Sequence, residues 1–295
     1  MEERENRFWA ELCNRDKKPF AVELDSPEGP DTSKFMAGAA ELKEKGAALI
    51  TVADCPVARP RMDSSLMACK IKRELGMDAM AHLTCRDRNR NASQALLLGL
   101  HAEGLRHVLL VTGDPIPQKQ RQRVKSVFNF NSEEFIEYVR GLYEQALPSP
   151  FHIFAALNVN ARNFSVELER ARAKEAAGAE GFFTQPVLTA QALENLKLAR
   201  ETLDGKLAGG IIPMVSHRNA VFMNENISGI TVDERIIRLF EGADRQKGEE
   251  LAIRVSAAVA AEIAPYIDSY YLMTPFGRTG LMGRIMDRIR EEGLA

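Results

Sequence analysis

Several common signatures are missing from this chain of 295 residues. Its four cysteines, Cys13, Cys55, Cys69 and Cys85, contain no C-x-x-C pair. That removes the usual mark of a zinc or iron–sulfur site and leaves a thiol-state protein without a metal as the expectation. No apolar run approaches the roughly 20 residues that span a bilayer. The first stretch, MEERENRFWAELCNRDKK, is charged throughout and has no signal-peptide core, so the expected location is cytoplasmic. An excess of one charge is lacking as well. The 39 basic and 41 acidic residues leave a net charge of −2, which gives no electrostatic case for nucleic acid or an anionic membrane as partner. No G-x-G-x-x-G turn follows an early strand, and no low-complexity linker interrupts the sequence.

Two hydrophobic periods alternate along the chain. Short apolar runs of strand length, at 19–24, 48–54, 78–85, 107–114, 151–158, 180–185, 207–214 and 268–275, are each followed by an amphipathic stretch of helix length. In the first such stretch, DTSKFMAGAAELKEKG, Phe35, Ala39 and Leu42 form one stripe, Asp31 or Thr32 can cap the start, and Gly46 closes the end. Near-continuous apolar strands suit a parallel sheet buried on both faces. Eight strand–helix units predict an α/β fold, the (β/α)8 TIM barrel of about 250 residues. The spare length falls in an N-terminal helix at about 3–17 and in extra helices before strand eight. An open doubly wound sheet is disfavoured by the missing glycine turn. The whole chain, 1–295, reads as one domain.

In such a barrel the active site forms at the carboxyl ends of the strands. Those ends carry Glu23 and Asp25, Asp54, His82 and Thr84, Thr112 and Asp114, Asn158 and Asn160, Thr184 and Gln185, and Thr274. Any one could be a helix cap or a turn residue. Repeated over seven strands, they form a polar ring around one concave mouth. Glu23 is the sharpest case. Strand alternation puts Phe20, Val22 and Leu24 on one face and Ala21 and Glu23 on the other, inside the barrel. A buried carboxyl there has a raised pKa suited to general-acid work; the competing reading is an ion pair with Arg59, Arg61 or Arg86. His82 is a satisfied core histidine or a ligand contact. CRDRNRN, 85–91, reads as a solvated loop whose arginines could alternatively face an anion. Lys174 is a solvated helix residue or reaches a phosphate, and Arg278 is a mouth anion contact or a surface charge. Gly209 and Gly210 admit a close backbone approach or fit tight barrel packing. Met214, Met223, Met273 and Met282 read as core.

Six motifs occur in order: VELDSP at strand one, AHLTCRDRN at strand three, VTGDP at strand four, TQPV at strand six, GIIPM at strand seven and YLMTPFGR at strand eight. Together they resemble the methylenetetrahydrofolate reductase family, from about Phe20 to the end of the chain. The likeness is closest to the short bacterial type and to the reductase half of bifunctional homocysteine methyltransferase–reductase proteins. The resemblance implies a barrel holding a flavin, FAD with FMN as the alternative. It implies reduction of 5,10-methylenetetrahydrofolate to 5-methyltetrahydrofolate, a step of one-carbon metabolism leading to methionine. Hydride passes from reduced flavin to the folate methylene carbon, after a proton on the folate nitrogen has opened the five-membered ring.

By the same resemblance Glu23 is the acid, and Asp114 lies beside flavin and pterin, stabilising the cationic iminium. His82, Thr112, Gly113 and Lys174 match flavin-contacting positions; Gln185, Asn219 and Arg278 match substrate-side positions. Departures accompany these matches. Phe-Phe-Pro-Pro follows the acid in better-known members, and LDSP follows it here. Asp54 stands where many have a tyrosine beside the flavin, and Met223 where many have a stacking aromatic. LNVNARN, 157–163, replaces a proline–glutamate–histidine pattern. The lost aromatics weaken direct NAD(P)H binding and raise a partner protein as electron donor. The expected assembly is a homo-oligomer or a hetero-complex. The alternative function is a flavin- and folate-binding subunit active only within an electron-transfer or methyl-transfer complex.

Overall fold

The computed structural model describes residues 6–227, 229–274 and 277–295. Eight parallel strands, hydrogen-bonded in chain order, close on themselves through a pairing of the eighth with the first. They are β1 (Phe20–Asp25), β2 (Leu49–Ala53), β3 (Asp78–Thr84), β4 (His107–Val111), β5 (His152–Leu157), β6 (Gly181–Pro186), β7 (Lys206–Ile211) and β8 (Ser269–Met273). Helix α1 (Arg7–Cys13) precedes the barrel. The helices that return the chain between strands are α2 (Ser33–Glu44), α3 (Ser64–Leu75), α4 (Arg90–Ala102), α5 (Ser132–Gln145), α6 (Phe164–Ala177) and α7 (Ala190–Thr202). Three helices, α8 (His217–Asn226), α9 (Glu234–Leu239) and α10 (Arg245–Ile263), separate β7 from β8, and α11 (Thr279–Glu291) follows β8. This is the (β/α)8 TIM barrel that the alternating periods predict, with its N-terminal helix and its extra helices before strand eight.

Strands β2, β3 and β8 are buried along their whole length, as parallel strands covered by helices must be. Local signals set the helix ends. The Asp63 carboxylate accepts from the Ser65 and Leu66 backbone N–H groups at the start of α3, and Gly76 ends it in the left-handed region. Asn131 and Glu134 form a reciprocal capping box on α5. Helix α11 turns Leu281, Met282, Ile285, Met286 and Ile289 inward, the spacing of a helix lying on a sheet.

The amino-terminal end of the barrel is stopped by α1. The Phe8 ring lies 5.6 Å from His107 and 6.2 Å from Phe154, and Trp9 stacks on His152 at 4.0 Å. Two strands end earlier than the apolar pattern suggests. Strand β4 stops at Val111, short of Asp114, because the chain turns through positive φ at Gly113. Strand β7 stops at Ile211, two residues before Pro213, which has no N–H to continue a ladder. The Gly209–Gly210 pair serves close packing: a Cβ on Gly210 would fall 2.5 Å from the Thr184 carbonyl. Met214, Met223, Met273 and Met282 are core residues, as expected. The expected start of the N-terminal helix and the Pro275–Phe276 part of the strand-eight motif lie outside the described residues.

Candidate functional site

Alternation along β1 sends Glu23 into the barrel, level with Thr51 of β2 and Met273 of β8. The Tyr271 phenol of β8 donates to Glu23 Oε2. His82 of β3 brings Nε2 to 3.9 Å from the same oxygen. Burial pushes the Glu23 carboxyl from 4.5 up to about 7; the phenol opposes that shift and the neighbouring Asp25 adds to it. Burial pushes the His82 imidazole down to about 3, so it is neutral and makes no ion pair with Glu23. Its Nε2 and the Thr274 hydroxyl are buried without hydrogen-bond partners, and the Thr51 hydroxyl lies beside the Tyr271 phenol. None of the three arginines named as possible partners takes Glu23. Arg61 faces Glu28 at 3.1 Å and Asp25 at 3.9 Å, and Arg86 faces Asp87 at 2.7 Å.

Asp114 belongs to a second cluster. Its Oδ2 accepts the Val57 backbone N–H at 2.6 Å. Val57 lies in a β2–α3 loop whose backbone is left-handed at Cys55, Val57 and Ala58, with φ of 47°, 56° and 52°, strained for residues that carry side chains. The carboxylate of Asp114 holds that loop. Gly113 has φ +89°, and a Cβ there would sit 2.9 Å from Thr84 Cβ; packing alone requires glycine at that turn.

The sequence CRDRNRN is not a solvated loop throughout. Arg86 is only 2% exposed. Its guanidinium binds the Asp87 carboxylate, the Asp114 carbonyl at 3.1 Å and the Cys55 carbonyl at 3.4 Å. Its own carbonyl accepts from Val127 N–H at 2.7 Å. One side chain thus ties the loops after β2, β3 and β4. Arg88 bridges Asp54 at 2.9 Å and Asp63 at 2.6 Å, while Asp54 also accepts from the Thr84 N–H and hydroxyl. The charge on Arg88 holds the Asp63 carboxyl below its usual range against the effect of burial. These arginines face carboxylates and carbonyls of this chain, not an open anion site.

The other site candidates are spread over other elements. Thr112 is exposed. Lys174 of α6 is half-buried and donates to the Ala156 carbonyl at 2.9 Å; burial lowers its pKa. Gln185 sits where the β6–β7 register shifts, a place where irregular pairing re-aims a side chain. It and Asn158 pack under the backbone of Gly229, and Asn160 ties that backbone down with a 3.0 Å bond to the Gly229 carbonyl. Asn219 Oδ1 accepts the Val215 N–H at 3.2 Å and so braces the loop after β7. Arg278 extends toward α10, 3.5 Å from Glu249. Among the described residues no cluster of His, Cys, Asp and Glu is arranged to hold a metal.

A family model described as methylenetetrahydrofolate reductase matches residues 9–274. The chain belongs to the methylenetetrahydrofolate reductase family. The match covers the barrel from α1 to the end of β8, and with it all of these clusters except Arg278. No curated protein matches the chain in sequence. Among solved structures, a Clostridium thermocellum protein that binds two copies of 5-methyl-5,6,7,8-tetrahydrofolic acid superposes with a TM-score of 0.64 at 10% identity, over 97% of this chain and 98% of that chain. Tryptophan synthase from M. tuberculosis superposes with a TM-score of 0.55 at 16% identity, over 97% and 98% of the two chains. At these identities the structural likenesses speak for the barrel alone.

Of the residues in these clusters, Tyr271 went unread in the sequence and Arg86 was misread. Tyr271 is one half of a Tyr–Tyr pair, and alternation puts one ring in and the other out. Tyr270 points out, to the Leu294 carbonyl at 2.9 Å, which leaves Tyr271 inside. Arg86 is hidden in a charged run that reads as surface.

Proposed function

We propose that the chain is a flavin-dependent methylenetetrahydrofolate reductase with Glu23 as its general acid. One observation supports this reading above the others: a carboxyl inside the barrel, poised to ionise near pH 7, where it can both hold and give up a proton. Opening the five-membered ring of the folate needs a proton on its nitrogen, and Glu23 supplies it. Asp114 is proposed to bind the pterin amino-pyrimidine donors and to stabilise the cationic iminium. Gln185, Asn219 and Arg278 are proposed substrate contacts. The folate bound by the Clostridium thermocellum barrel supports a folate ligand in this fold.

One residue at the mouth supports a flavin. The His82 Nε2 atom is buried, uncharged and without a protein partner, a group left for a ligand to satisfy. His82, Thr112, Gly113 and Lys174 are the residues proposed to hold FAD or FMN. When bound, the flavin supplies the hydride that reduces the methylene carbon. No helix among the described residues is long and apolar enough to cross a membrane, and a cytoplasmic location is part of this reading.

A second reading keeps the ligands and changes the setting: a subunit that receives electrons from a partner protein, in a hetero-complex or a homo-oligomer. It is favoured by two positions. Met223, where many members have a stacking aromatic, is buried in the core. Asp54, in place of a tyrosine, is tied to Arg88. The purified protein is expected to be yellow, to bleach with reductant and to be reoxidised by methylenetetrahydrofolate. Turnover with an artificial dye but with neither NADH nor NADPH selects the subunit reading; a colourless protein that binds no added flavin overturns both.

The acid must be protonated to act. Folate turnover is therefore expected to be level below about pH 6 and to fall tenfold per unit above about pH 8, around the Glu23 value of about 7. A profile of kcat against pH checks this.

A further inference from the structure

The Glu23 carboxyl has two oxygens, and the surroundings treat them differently. Oε2 receives the Tyr271 phenol and faces His82 Nε2 at 3.9 Å. We propose that Tyr271 is the positioning residue of the acid: its phenol holds Oε2, so that the transferable proton sits on Oε1. This inference rests on the reading of Glu23 as general acid and extends it to the atom that does the work.

The geometry leaves little freedom. Tyr271 is two residues before Met273, the residue paired with Glu23 across the β8–β1 closure, so its ring reaches diagonally to the carboxyl. Phe183 packs edge-on against that ring, 4.8 Å between centroids and 79° between planes. The other groups facing Glu23 do not compete. His82 of β3 is uncharged. Thr51 of β2 carries a hydroxyl that does not titrate; it lies beside the Tyr271 phenol and lowers its pKa against the larger effect of burial. Asp25, on β1 itself, raises the Glu23 pKa but is held off at 3.9 Å by Arg61 and makes no hydrogen bond to the carboxyl. The phenol stays protonated, because burial and the adjacent carboxylate raise its pKa well above 10, so it keeps a proton to donate to Oε2.

A donor at Oε2 makes that atom the carbonyl-like oxygen of the neutral acid and leaves the O–H on Oε1. In the step itself, the Oε1–H bond breaks as an N–H bond forms on the folate nitrogen. The electron pair remains on Oε1. The phenol then donates to a full carboxylate, and such a charge-assisted bond is the stronger one. The contact therefore strengthens as the proton leaves, which favours the transition state over the ground state.

The test needs neither flavin nor folate. Carboxyl-labelled glutamate is incorporated, the Glu23 signal is assigned by its loss in Glu23→Gln, and its NMR titration is followed from about pH 4 to 9. In Tyr271→Phe the midpoint is expected to rise by about one unit or more. With 3-fluorotyrosine at position 271, a stronger donor changed by one atom, it is expected to fall. In the flavin-loaded enzyme the falling limb of the kcat profile moves with each midpoint. A merely structural tyrosine would lower the melting temperature of Tyr271→Phe and leave the midpoint where it was. Midpoints unchanged in both proteins overturn the proposal. If Tyr271→Phe does not fold, the fluorotyrosine protein decides alone. Absence of methylenetetrahydrofolate turnover in the parent protein sinks the functional reading and leaves the titration result standing.

Discussion

Glu23→Gln is expected to lower methylenetetrahydrofolate turnover by about 10²–10⁴-fold, the usual contribution of a positioned general acid. Flavin binding and fold are expected to survive, because glutamine keeps the shape of the side chain and can still accept from Tyr271. Steady-state kinetics with an absorbance spectrum of the variant check both halves. The same substitution has an expected signature in stability. The carboxyl holds its proton more tightly in the folded chain, at about 7 against 4.5. Folding is therefore opposed progressively as pH rises from about 4.5 to 7, and the penalty persists above that window. Glutamine removes it. The variant is expected to be more stable than the parent at pH 8, on the order of 2 kcal/mol, and no more stable at pH 4. Thermal melts at the two pH values read the difference. A variant that keeps full turnover, or that gains stability equally at both pH values, contradicts the role given to Glu23.

Arg86→Met is the second large effect. The methionine fills part of the buried volume but leaves the Asp114 and Cys55 carbonyls without their donor and releases three loops from one another. A loss of about 2–4 kcal/mol is expected from the unmet buried groups, or roughly 3–6 °C in melting temperature for a chain of this size. Turnover is expected to fall more than the melting temperature alone explains, since the Asp114 backbone loses its anchor. Amide exchange in the loops after β2 and β4 should quicken while the strands stay protected. Calorimetry and exchange measurements on the same variant check this.

How much of this was legible beforehand depends on the distance over which each residue finds its partners. The barrel was legible because each strand is an apolar run and each helix carries its own stripe and cap, all local signals. The inward aim of Glu23 was legible for the same reason: alternation needs only its neighbours Ala21 and Leu24. Tyr271 was not, because the choice between two adjacent tyrosines depends on the register with which β8 closes against β1, some 250 residues earlier in the chain. Arg86 was misplaced because a run of arginines and aspartates looks solvated; its carbonyl partners come from loops distant in sequence. The flavin and substrate roles given to Lys174, Asn219 and Arg278 came from family likeness. Their side chains meet partners of this chain, the Ala156 carbonyl, the Val215 N–H and Glu249, contacts that no local pattern announces.

The stopper made by Phe8 and Trp9 bears on traffic. With the floor of the barrel closed by rings packed on His107 and His152, the rim formed by the strand ends is the side from which a large ligand has to enter. Whatever lies deepest must arrive first and depart last. If the proposed function holds, two bulky guests sharing that doorway take turns, and a donor of electrons and an acceptor of them cannot pass each other inside.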